Sequence, residues 1–97
     1  MRLTQENYQT LVDFYGNCST NTRWKQFFKC QAWVSDRIYC LADNIDFRLI
    51  KSYNTIVGVI DYTNSKHVRL GKWSRTTSKQ QTRIHNVYCR DFETIQY

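Results

Sequence analysis

Residues 54–62 read Asn-Thr-Ile-Val-Gly-Val-Ile-Asp-Tyr, and this stretch decides the fold. Ile56, Val57, Val59 and Ile60 leave it apolar on both faces, which places it centrally in a sheet. Gly58 inside such a run signals a close approach by another backbone or side chain. Upstream, 47–53 reads as a second extended segment. Downstream, Thr63-Asn64-Ser65 is turn chemistry. Val68 and Leu70 then share one face of a returning strand. Trp73 is out of phase with them unless Gly71 makes a bulge.

Further out the pattern changes. Arg23 to Val34 alternates at Phe28, Cys30, Ala32 and Val34 and reads as a strand, although Trp24, Phe27 and Phe28 also suit a helix. Ser35-Asp36-Arg37 turns into a short extended run, Ile38 to Leu41, and Asp43-Asn44 breaks it. Both ends of the chain read as helices. Thr4 is a candidate N-cap, followed by Tyr8, Leu11, Val12 and Tyr15 at helical spacing, with Gly16-Asn17 closing the element. Thr76, Thr77 and Ser78 offer caps for a last helix running to Gln96, with Ile84, Val87, Tyr88, Phe92 and Ile95 as its apolar stripe. The expected fold is one α+β domain over residues 1–97. It has an antiparallel sheet of about four or five strands and an N-terminal and a C-terminal helix covering one of its faces.

Composition bounds the rest. The chain has 97 residues, 41% hydrophobic and 15% aromatic, so one modest core is built from few, large side chains. Three Gly and no Pro exclude collagen-like and Pro-rich readings. Met1 to Glu6 has no apolar stretch, so no signal peptide is expected. The longest apolar run, Ile56 to Ile60, is far short of the ~20 residues that span a bilayer. A soluble, intracellular protein without a membrane partner is expected.

The net charge of +6 is concentrated. Residues 62–90 hold seven basic side chains and no acidic one: Lys66, Arg69, Lys72, Arg75, Lys79, Arg83 and Arg90. A stripe of this kind contacts phosphate or an acidic protein surface, or is a solvated face. Lys66, Arg69, Lys72, Arg75, Lys79 and Arg83 are the candidate partner-binding residues. Arg75, Lys79 and Arg83 fall at successive four-residue steps, along one side of a helix. Ser74 to Ser78, at that helix's start, is either an anion site or a simple cap.

The chain has four cysteines, Cys18, Cys30, Cys40 and Cys89. Four thiolates would make a closed structural zinc site, although the spacing is not that of a zinc knuckle. His85, one turn before Cys89, could replace one of them. Four buried thiols or disulfides are the alternatives. There is no P-loop, GxGxxG, GxSxG or HExxH pattern, so no catalytic residues are assigned and the protein is expected not to be an enzyme.

The string over 52–85 resembles a pattern in a family of small phage-encoded proteins. The residues that carry the resemblance are Ser52, Tyr53, Thr55, Val57, Asp61, Gly71, Trp73, Ser74, Thr76 and Thr77. The family often has His where this chain has Gln80. The resemblance implies an accessory protein in the cytoplasm of the infected bacterial host. There it would bind and inhibit a host defence protein, most concretely a CRISPR–Cas nuclease such as Cas9, as anti-CRISPR proteins do. A chain at +6 cannot mimic DNA, so inhibition would proceed by protein–protein docking. The alternative is a basic nucleic-acid-binding accessory protein.

Overall fold

A computed structural model describes residues 3–17 and 23–97. The elements are α1 (Gln5–Asn17), β1 (Trp24–Gln26), β2 (Ala32–Ser35), β3 (Ile38–Cys40), β4 (Ile45–Ser52), β5 (Thr55–Asp61), β6 (Lys66–Arg69), α2 (Arg75–Tyr88) and β7 (Glu93–Gln96). The sheet runs β1-β2-β4-β5-β6-β7, with β3 also on β4. The class is α+β, as the sequence suggests. The sheet has seven strands, more than expected, and it is mixed, because β6 and β7 are parallel.

β5 takes the central place that its apolar run requires, between β4 and β6. It carries one irregularity. Ile50 pairs with Gly58, yet Lys51 pairs with Ile56, so Val57 is an extra residue. Such a bulge changes which face the following side chains point to. Here it lets Val57 and Ile60 share one face with Ile50, while Val59 joins Phe47 and Leu49 on the other.

The two helices lie on opposite faces of the sheet, not on one. Tyr8, Leu11 and Val12 of α1 pack with Phe47, Leu49, Val59 and Val68. Ile84 and the C-capping Cys89 of α2 pack with Val34, Ile50, Val57 and Ile60 on the reverse side. The molecule is therefore three layers deep. The physical reason is the doubly apolar β5 and β4: a strand apolar on both sides needs cover on both.

Thr4 caps α1 as expected. Its hydroxyl accepts from the Asn7 N–H at 3.3 Å, and Asn7 Oδ1 accepts the Thr4 N–H at 3.0 Å. Asn7 thus stands where a capping box usually has Glu or Gln. Ser74 caps α2, accepting the Thr77 N–H at 3.3 Å.

Two expected elements are corrected. The segment 23–34 is a tight hairpin rather than one strand: β1 pairs with β2, and Phe28 adopts φ 53° in the turn. The last helix ends at Tyr88, where the Cys89 N–H bonds the His85 carbonyl, and the chain returns as β7. Val87 is 60% exposed, and Ile95 sits opposite Val68 in the parallel pair. Parallel neighbours need a long crossover, and α2 supplies it.

Gly58 shows why the central strand tolerates no side chain there. A Cβ at that position would sit 2.7 Å from Gln81 Oε1 and 2.9 Å from the Val68 carbonyl oxygen. The second of these is backbone and cannot move aside. Gly58→Ala is expected to cost about 1–3 kcal/mol through overpacking, read as a fall in Tm of several degrees by calorimetry. An unchanged Tm would mean that α2 does not seat on β5 at Gln81.

Candidate functional site: a polar seam and a basic face on the second helix

The buried stripe of α2 is Thr77, Gln80, Gln81 and Ile84. The spacing is helical, but three of the four are polar. Each must find a partner, because a buried unpaired polar group is costly. The first partner is Ser52 at the end of β4. Its hydroxyl donates to Gln80 Oε1 at 2.7 Å and lies 3.1 Å from Thr77 Oγ1. Ser74 Oγ donates to Thr77 Oγ1 at 3.4 Å, extending the chain to the helix cap.

The second partner is His67 on β6. Its side chain faces α2 and is 1% exposed. His67 Nε2 lies 3.3 Å from Gln81 Oε1. An amide oxygen only accepts, so Nε2 carries the proton and Nδ1 is bare. Nδ1 lies 3.1 Å from Nδ1 of His85, and Cys89 Sγ is 3.6 Å from that same His85 atom. Burial first, then the neighbouring His85, pulls the His67 pKa down to about 4. Burial pushes the Cys89 thiol up to about 11. Gln81 Nε2 and Arg69 Nε are buried without a hydrogen-bond partner. A cavity of about 100 Å³ is lined by His67, Arg69, Thr82, His85 and Thr94.

Among the described residues, His67, His85 and Cys89 form the group whose donor atoms could hold a metal, all within 4.8 Å of one another. The four-cysteine set is not assembled. Cys40 lies in the core under α1, whereas Cys89 lies in the core under α2, across the sheet. Cys30 sits in the β1–β2 turn, with Sγ 2.9 Å from the Phe27 carbonyl. Cys18 lies outside the described residues. Cys30, Cys40 and Cys89 are free thiols. His85 was legible as a ligand from its spacing to Cys89. His67 was missed, because a lone His inside Lys-His-Val-Arg gives no spacing signal.

The basic residues divide. Lys72, Arg75, Lys79, Arg83 and Arg90 are exposed. Among the described residues the ion pairs are Arg37–Asp46 and Lys66–Glu93, so those five cations make none. Lys66 is tied to β7 by its pair with Glu93. Arg69 is half-buried beside the cavity under α2. The candidate set therefore does not form one continuous stripe.

The residues of the 52–77 pattern mostly shape the backbone. Ser52, Ser74 and Thr77 join in the hydroxyl chain. Gly71 adopts φ 86°, and the Trp73 indole N–H donates to the Leu70 carbonyl. Asp61, wholly buried, accepts from the Tyr8 hydroxyl at 2.7 Å and from Asn64 N and Nδ2 at 3.0 and 2.8 Å. Burial and that carboxylate raise the Tyr8 pKa far above its ordinary value.

The chain belongs to the family of unknown function DUF8033, whose model matches residues 14–94. No curated protein and no solved structure matches it.

The hydroxyl chain has a measurable weight. Ser52→Ala leaves Gln80 Oε1 unpaired in the core and the Thr77 hydroxyl with only its Ser74 contact, which should cost about 1–3 kcal/mol. Thr76→Ala, on the exposed side of the same turn, should stay within about 0.5 kcal/mol. Urea unfolding of both variants checks this. Equal stability of the two would remove Ser52 as an anchor of α2.

Proposed function

We propose that this member of DUF8033 is a binding protein that docks the exposed face of α2 on the phosphate backbone of a nucleic acid. The observation that carries the reading is five exposed cations that make no ion pair among the described residues: Arg75, Lys79 and Arg83 along α2, Lys72 before it and Arg90 after it. Phosphate contacts need cations free to exchange their counterions, and cations already held in ion pairs give less. The exposed residues between them are Trp73, Ser74, Thr76, Thr82, Asn86 and Val87, so the face is mostly polar, with Trp73 at one end and Val87 near the other as its apolar side chains. A protein interface is normally centred on aromatic or Arg anchors in an apolar surround. Zinc enters this reading as a structural part. A metal held between α2 and the sheet would fix the angle at which the cation row is presented.

A second reading is docking on an acidic surface of a host defence protein, with a CRISPR–Cas nuclease as the concrete case. Phe28, 72% exposed, and Val87 favour it. They adjoin Phe27 and Tyr88, whose rings lie 6.3 Å apart, and would serve as apolar anchors.

One titration separates the two. The triple reversal Arg75→Glu, Lys79→Glu and Arg83→Glu should leave the circular dichroism spectrum and Tm close to those of the parent chain. Affinity for a mixed-sequence duplex, measured by fluorescence anisotropy across a salt series, should fall steeply. The slope of log K against log salt should become shallower by about 3, one unit per lost phosphate contact. No binding of nucleic acid by the parent chain at low salt would defeat the first reading. A partner bound with little salt dependence, and lost on Phe28→Ala, would favour the second.

A further inference from the structure

We propose that His67, His85 and Cys89 bind one divalent transition metal of the zinc class, with three protein ligands and a fourth position open to water. The site rests on the structural zinc of the proposed function but not on the nucleic-acid partner. Its donors face the interior between β6 and α2, whereas the cation row faces outward. Metal uptake is read without any nucleic acid, so its failure is told apart from a failure of partner binding.

Distance is the first argument. With Zn–N near 2.05 Å and Zn–S near 2.3 Å, tetrahedral angles put two nitrogens about 3.3 Å apart and a nitrogen and sulfur about 3.6 Å apart. The observed separations are 3.1 Å for His67 Nδ1 to His85 Nδ1 and 3.6 Å for His85 Nδ1 to Cys89 Sγ. Two edges of the tetrahedron are thus in place, and the remaining donor pair lies within 4.8 Å.

The donor set is the second argument. Two imidazoles and one thiolate suit zinc and its neighbours rather than magnesium or calcium. His67 already has the outer hydrogen bond of a metal-bound histidine. Its Nε2–H points to Gln81 Oε1, which fixes the tautomer that leaves Nδ1 free. Gln81 is itself held against Gly58.

A cavity adjoins the donor cluster. The cavity of about 100 Å³ is bounded by both histidines and by Arg69, Thr82 and Thr94. A water molecule needs roughly 30 Å³ and two or more polar partners, and this lining meets both conditions. Arg69 Nε, buried and unpaired, is one of the groups such a water could serve.

Loading needs a small adjustment. The imidazole centroids are 5.2 Å apart, and the two Nδ1 atoms face each other along that line. Each ring must swing by roughly 35° for both lone pairs to meet at one tetrahedral centre. As the metal enters, the Cys89 S–H bond breaks, sulfur keeps the electron pair and the proton goes to solvent. His85 moves its ring proton to Nε2.

The test is zinc titration of the full chain by calorimetry against a competing chelator, with X-ray absorption of the loaded protein. One equivalent should bind, with one sulfur near 2.3 Å and two ring nitrogens near 2.0–2.1 Å. His85→Gln, at a half-buried position, and Cys89→Ser should each weaken binding by about 100-fold or more. Gln81→Ala should weaken it by about 10- to 100-fold, as outer partners do. Cys30→Ser and Cys40→Ser should leave it unchanged. Circular dichroism checks that each variant folds, and His85→Gln decides the matter should Cys89→Ser not fold. Failure of the parent chain to take up one equivalent would overturn the proposal. So would two or more sulfurs at the metal, loss of binding in Cys30→Ser or Cys40→Ser, or unchanged binding in folded His85→Gln.

Discussion

The seating of α2 depends on polar groups that cannot be left unpaired. Thr77, Gln80 and Gln81 are buried against the sheet, and their partners are Ser52 on β4 and His67 on β6. An apolar stripe can slide or roll by some degrees at little cost. A row of buried hydroxyls and amides has one rotation that pairs it, here all but Gln81 Nε2, and elsewhere each group loses its full solvation. The same rotation sends Arg75, Lys79 and Arg83 outward and brings His85 and Cys89 beside His67. The outward charge and the inward cluster are two results of one constraint.

The other face of the sheet is mostly apolar around a buried long-range polar contact. Tyr8 of α1 reaches Asp61 at the end of β5 through the interior. Asp61 also accepts two hydrogen bonds from Asn64, so its carboxylate fixes the β5–β6 turn as well as the helix. Around it, Leu11, Val12, Phe47, Leu49 and Val59 supply apolar burial. The two layers of helix are thus attached differently: α1 by a mainly apolar stripe anchored at Tyr8, α2 by a seam that is mostly polar.

That difference explains what was legible in the sequence. The central strand, the close approach at Gly58, the Thr4 cap and the helical spacing of Tyr8, Leu11 and Val12 all carry hydropathy or turn signals, and all stand where the pattern puts them. The stripe assigned to the last helix did not. Val87 is exposed, and Phe92 and Ile95 lie beyond the helix, because hydropathy cannot see a buried face made of Thr and Gln. The segment Glu93-Thr94-Ile95-Gln96 alternates like a strand, but with no Pro or Gly before it the helix had no visible stop. For the metal cluster, the i, i+4 pair His85 and Cys89 was readable along one helix. Its partner His67 comes from a strand eighteen residues earlier, and only the crossover brings it near. Cys40 faces α1 because the short β3 pairs with the first half of β4, a register that cysteine spacing cannot convey.

The way β4 is flanked has a consequence for how the molecule meets its own copies. One side of this eight-residue strand is shared between two short strands, β2 against its end and β3 against its beginning. The chain steps between them at Ser35, whose hydroxyl accepts the Leu49 N–H at 2.8 Å. Outermost on that side is β1, only three residues long, and the opposite margin is the four-residue β7. Among the described residues no long, straight row of unpaired backbone groups is left for another chain to extend. Broken margins of this kind protect sheets from growing into fibrils. A chain with two strongly apolar central strands has particular need of that protection, since those strands would be adhesive in any molecule that exposed them.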